Sequence, residues 1–67
     1  MSDFKSFKSV QDYDLLIDLD DISMVTPDGI CCYIILKSGV EVRVKQSYDE
    51  VCNILFRKEQ RRQMLNE

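Results

Sequence analysis

Histidine and tryptophan are both missing from this 67-residue chain, which also has only one proline and two glycines. Without histidine, Ser-His-Asp and Cys-His nucleophile systems are excluded, because each needs an imidazole to take and return a proton. The phosphate-cradling loops GxGxxG and GxxxxGK[ST] do not occur, and neither does CxxC. The longest apolar run, Ile30 to Leu36, is far short of the roughly 20 residues that cross a bilayer. The opening residues, Met1-Ser2-Asp3-Phe4-Lys5, carry no apolar signal-peptide core, so a cytoplasmic address is expected. These absences leave the expectation of a protein that is not an enzyme and needs no cofactor.

The three cysteines, Cys31, Cys32 and Cys52, are an odd number and a poor disulfide framework. Cys31 and Cys32 are adjacent, and in a strand they point to opposite faces, so they do not bridge each other. A bridge to Cys52 is geometrically open, but free buried thiols suit a reducing compartment better. Zinc would need a fourth ligand, and no histidine supplies one. Asp18, Asp20, Asp21 and Asp28 bring carboxylates close together, yet Ile22 sits where a calcium loop needs its third ligand and no closing Glu follows. The expected reading is an acidic, solvated rim and no metal site.

What the chain does have is enough apolar material to fold. Its hydrophobic fraction is 45%, ordinary for a globular domain and too high for a disordered one. A core of this size seldom supplies more than about 3–5 kcal/mol, so a second subunit would add most to it. The net charge is −3 and unevenly spread, with aspartates crowding the first half and Lys37, Arg43, Lys45, Arg57, Lys58, Arg61 and Arg62 in the second. An acidic whole argues against nucleic acid as a partner, the basic end of the chain being the one part that suits it.

Residues 1–11, rich in serine and charge, read as a loosely held leader that Phe4 and Phe7 could pin to a single α+β domain over 12–67. Tyr13 to Ile17 and Ser23 to Val25 read as short strands joined by a single turn at Leu19-Asp20-Asp21-Ile22. Thr26-Pro27-Asp28-Gly29 has the chemistry of a hairpin turn. Ile30 to Leu36 follows as a strand apolar on both faces, then Lys37-Ser38-Gly39 as a second turn. Val40 to Lys45 alternates valine with charge, the signature of a strand with one wet face. The predicted fold is therefore a small antiparallel sheet of three to four strands followed by one C-terminal helix. Ser47-Tyr48-Asp49-Glu50 is a capping box opening that helix. Its apolar residues spread over roughly 200°, wider than the ~100° stripe of an ordinary surface helix. A helix from Tyr48 to Leu65 is about 27 Å long, against about 17–23 Å for strands of five to seven residues, so its basic last turns should overhang the sheet.

The strings Leu19-Asp20-Asp21-Ile22-Ser23-Met24-Val25-Thr26-Pro27-Asp28-Gly29, Leu36-Lys37-Ser38-Gly39, Val42-Arg43-Val44-Lys45 and Ser47-Tyr48-Asp49-Glu50-Val51 together resemble the small flagellar FlbD-like proteins, which include the swarming-motility SwrD-like proteins. The resemblance covers residues 19–51, about half of the chain. Members of that family open with a strand bearing a Leu-Asn-Gly turn, which residues 1–18 here do not contain. The resemblance implies a non-enzymatic motility accessory protein and brings no catalytic residues with it.

The wide helix face and the two-faced strand point to a homo-oligomer, with Cys31, Tyr33, Ile35, Cys52 and Phe56 as the expected interface. The expected function is binding without catalysis. Such a protein either sequesters a small anionic, nucleotide-like ligand or blocks a partner protein, as a small phage-encoded inhibitor of a host system would. Arg43, Lys45, Arg57, Arg61 and Arg62 are the expected phosphate contacts, with Tyr33 and Tyr48 as stacking faces. The alternative is the FlbD-like role of a flagellar or swarming-motility accessory regulator.

Overall fold

The computed structural model describes the backbone of residues 3–65 and the side chains of residues 3–57. Its elements in chain order are β1 (Phe4–Lys8), β2 (Asp14–Asp18), a 3-10 turn (Leu19–Asp21), β3 (Ile22–Asp28), β4 (Cys31–Leu36), β5 (Glu41–Val44) and α1 (Tyr48–Leu65). Strands β1 and β2 form an antiparallel hairpin, and β3-β4-β5 form an antiparallel meander, so the α+β class with a C-terminal helix holds, with five strands in two small sheets.

Residues 4–8, expected within a loosely held leader, form β1, which pairs with β2 from Phe4↔Asp18 to Lys8↔Asp14. Phe7 is 1% exposed and belongs to the core, while Phe4 stands on the opposite face of the hairpin. The sequence hides this because Phe4 and Phe7 are three apart in a repeated Phe-Lys-Ser string. Strand faces repeat every two residues, so residues three apart fall on opposite sides and show no apolar stripe. The hairpin loop closes on Ser9, whose N–H donates to the Tyr13 carbonyl (2.8 Å) and whose carbonyl accepts from the Asp12 N–H (2.9 Å). Asp12 adopts a φ of 72°, the left-handed conformation that aspartate tolerates better than most residues.

The two sheets meet at Ser9 and Val44, which form an antiparallel bridge. The Lys45 N–H donates to the Lys8 carbonyl (2.8 Å) and the Val10 N–H to the Arg43 carbonyl (3.2 Å) on either side of it. On the inner faces, Phe7 and Ile17 of the hairpin, Cys32 and Ile34 of β4, Val44 of β5 and Val51 of α1 share one buried cluster with Leu19. The helix lies over β3 and β4 on this same side. Hairpin and helix thus divide the inner face of the meander between them, and its outer face carries neither.

The first turn of the meander lies later than the Thr26-to-Gly29 signal suggests. Asp28 pairs with Cys31, so the loop is Gly29-Ile30, with Gly29 at a φ of 61° as a two-residue loop opening on glycine requires. Ile30, expected as the first strand residue, is 88% exposed at that corner. Pro27 sits inside β3 opposite Cys32, which the ladder permits because β3 is an edge strand. Proline and the register shift between Ile22 and Met24 both blunt that edge against further pairing. The second turn falls where expected, with the Gly39 N–H donating to the Leu36 carbonyl (2.9 Å). At the helix start the Glu50 N–H donates to Ser47 Oγ (3.2 Å), the Ser47 half of the expected capping box, without the return bond from the Ser47 N–H to the Glu50 carboxylate among the described residues. Val51 is buried, Ile54 and Leu55 pack against the core, and Phe56 is 66% exposed. The expected overhang of the last turns involves side chains outside the described residues.

Phe7→Ala should remove about 3–5 kcal/mol, as much as a core of this size supplies in total. Urea titration followed by circular dichroism should find this variant largely unfolded and Phe4→Ala near wild type. Equal, small effects from both would return residues 1–11 to the status of a leader.

Candidate binding surfaces

The outer face of the meander follows from its register. Met24 stands opposite Ile35, which stands opposite Glu41; Thr26 stands opposite Tyr33, which stands opposite Arg43. Tyr33, Ile35 and Cys31 are half-buried by their lateral neighbours, whereas Met24 is 53% exposed. The Arg43 guanidinium lies over the Tyr33 ring, 5.8 Å from its centroid, and its Nε donates to Asp28 Oδ2. The Asp28 carboxylate holds Arg43 above its ordinary pKa, by hydrogen bond first and charge second. Lys45 Nζ is paired with Asp12 Oδ1, and Lys45 keeps the Asp12 carboxyl below its ordinary value. Lys8 Nζ pairs with Asp14 Oδ1 at 2.8 Å, which raises the Lys8 pKa.

Of the expected phosphate contacts, Arg43 and Lys45 are therefore each neutralised within the chain. Arg57 is exposed on the helix, and the side chains of Arg61 and Arg62 lie outside the described residues. The two expected stacking rings are not brought together. Tyr33 is on the outer face of the meander, whereas Tyr48 opens the helix over the inner face. The Tyr48 hydroxyl is shifted above its ordinary pKa, first by its hydrogen bond with the Cys52 side chain. The expected oligomer interface divides in the same way. Cys31, Tyr33 and Ile35 share the outer face, while Cys52 and Phe56 belong to the helix on the other side.

Two surfaces had no clear signal in the sequence. The outward side of the hairpin carries Phe4 (54% exposed) and Leu16 (71% exposed), on diagonally adjacent positions of the β1–β2 ladder. Alternation in Asp14-Leu15-Leu16-Ile17-Asp18 could have marked Leu16, had residues 4–8 been read as its partner strand. The second is a cleft of about 160 Å³ between the hairpin loop and β5, lined by Ser9, Val10, Gln11, Tyr13, Leu15, Glu41, Val42 and Arg43. Only three-dimensional pairing creates it, since its walls are some 30 residues apart in the chain.

No family model, curated protein or solved structure matches this chain. What the surfaces can do must follow from their own geometry. The cleft has the size of a cavity that holds a benzene-sized group, about 150 Å³, and is smaller than the roughly 300–1,000 Å³ that houses a drug-sized ligand. A nucleotide does not fit within it.

The cysteines are free thiols, with Cys32 fully buried. Burial pushes the Cys32 thiol above its ordinary pKa, and the nearby Cys52 adds to the shift. Between the ordinary and the raised value, the folded chain binds more protons than the unfolded chain, so stability must fall as pH rises. The contribution is fully present below the unfolded thiol value of 9.0 and is lost as pH climbs through the folded one. Urea midpoints measured from neutral pH to above pH 9 should decline in wild type and decline less steeply in Cys32→Ala. Identical slopes would show that Cys32 does not titrate with unfolding.

Proposed function

We propose that this chain is a non-catalytic binding protein that self-associates and acts by occupying a protein partner, not by holding a small anion. The observation that carries this reading is the outer face of the β3-β4-β5 meander. It presents Met24, Tyr33, Ile35 and Arg43 side by side, and the hairpin and the helix both pack on the opposite side. Methionine, tyrosine and arginine are the residue types enriched where proteins meet proteins. Arg43 is held between the Tyr33 ring and the Asp28 carboxylate, which fixes a long side chain before any partner arrives. A contact made by a fixed side chain loses less rotamer entropy on binding.

The same arrangement weighs against the sequestration of a nucleotide-like anion by one chain. A phosphate at Arg43 or Lys45 must displace Asp28 or Asp12 and face that carboxylate at close range. An anion site shared between copies would need arginines left unpaired, a role open to Arg57 but not to Arg43 as it stands.

Native mass spectrometry of freshly purified protein should show an oligomer without retained nucleotide-range mass. Met24→Glu, which places a charge on the exposed end of the outer face, should shift the population to monomer with an unchanged circular dichroism spectrum. A monomeric wild type would remove self-association through this face. A retained anionic mass that disappears in Arg43→Ala would restore the anion reading.

A further inference from the structure

The cleft between the hairpin loop and β5 shares Glu41 and Arg43 with the margin of the meander's outer face, but the rest of its lining comes from the hairpin and Val42, and it has its own chemistry. Its floor is aliphatic, from Leu15 and Val42, both half-buried at the margin of the core. Tyr13, 53% exposed, also lines it, and the rim carries Gln11, Glu41 and Arg43. The two charged groups are not equivalent. Arg43 is already paired with Asp28, whereas the Glu41 carboxylate has no ion pair among the described residues. The net demand of the rim is therefore for a positive charge. An aliphatic floor, an aromatic lining residue and a carboxylate at the mouth match the two halves of a lysine or arginine side chain, an apolar stem and a cationic head.

A backbone feature distinguishes a peptide from a free amine. The Arg43 carbonyl and the Lys45 N–H point toward the hairpin, where they meet Val10 and Lys8. Alternate residues of an antiparallel strand face the same side, so Glu41 presents its N–H and C=O in that direction as well. The hairpin and β5 share a single bridge at Ser9↔Val44, and the ladder does not continue to Glu41. The mouth of the cleft thus offers an open strand edge beside the carboxylate, where an extended segment can add main-chain hydrogen bonds.

From this geometry we infer that the cleft receives a lysine or arginine side chain from an extended segment of a partner protein. The inference rests on the reading of the chain as a protein-binding module, and it does not depend on self-association. The test is a titration of ¹⁵N-labelled protein, read by amide shifts, in wild type, Met24→Glu and Glu41→Gln. The probes are acetyl-Gly-Lys-Gly-amide, the same peptide with norleucine or glutamate in place of lysine, and n-butylammonium.

The lysine peptide should shift the amides of Val10, Gln11, Tyr13 and Glu41 in wild type and equally in Met24→Glu. It should bind Glu41→Gln about three- to fivefold more weakly, the factor expected of a partly exposed ion pair worth up to ~1 kcal/mol. The norleucine and glutamate peptides should bind more weakly than the lysine peptide. Binding of n-butylammonium as tight as that of the peptide would assign the cleft to a free amine and overturn the inference. So would equal binding of the norleucine peptide, preference for the glutamate peptide, or no localised shift. Concentration-dependent shifts at these amides without any probe would make a second copy the occupant and also overturn it. Loss of binding only in Met24→Glu would tie the cleft to the oligomer, contradicting its independence. A monomeric wild type that still binds the lysine peptide would leave this inference standing while removing self-association.

Discussion

The joint at Ser9 and Val44 ties the hairpin and the meander together at their strand edges. A two-stranded hairpin is marginal alone in water, and a three-stranded meander is stable only when its apolar face is covered. Each unit here supplies what the other lacks. The bridge places Phe7 and Ile17 over Ile34, Cys32 and Val44, and the first two turns of α1 bring Val51 to the same cluster. Ser9 is itself buried, and its Oγ accepts from the Gln11 N–H (3.0 Å), so the polar group at the joint is satisfied within the loop it closes.

Both binding surfaces follow from that joint. With hairpin and helix together on the inner side, the outer face of the meander is left with Met24, Tyr33, Ile35 and Arg43. Because the bridge is single and the hairpin loop then turns away, β5 keeps an open edge at Glu41 and a cleft forms beside it. The ion pairs around these surfaces link segments far apart in the chain, Lys45 with Asp12 and Arg43 with Asp28. Exposed pairs of this kind add little stability. Their consequence is for recognition, since they neutralise two of the cations, Arg43 and Lys45, that composition alone assigned to the second half of the chain.

Much of the fold was legible because the signals were local. The valine–charge alternation, the glycine turn at 37–39 and the Ser47 cap each depend on neighbours within a few residues and each is found, although the strand is Glu41–Val44 and Val40 is exposed beside it. Residues 4–8 were not legible, since the two phenylalanines point to opposite faces and only pairing with β2 shows which one is core. The turn at 26–29 was displaced because Pro27 is tolerated at a sheet edge, and edge position is a tertiary fact. The site was less legible still. Basic residues and tyrosines could be counted, but whether a carboxylate already neutralised each cation depended on cross-strand register. The helix face and strand face expected to form one interface instead lie on opposite sides of a sheet.

The central claim is that hairpin, meander and helix form one cooperative core through the Ser9–Val44 joint. Native-state hydrogen exchange tests it directly, through the amides of Val10 and Lys45 at the joint and of Ile34 in the middle of β4. A single core predicts that the joint amides are protected and share the opening free energy of Ile34, with all three lost together as urea is added. Joint amides exchanging at loop rates while Ile34 stays protected would contradict the account, because the hairpin would then open on its own and neither the cleft nor the shared core would be a fixed feature of the molecule.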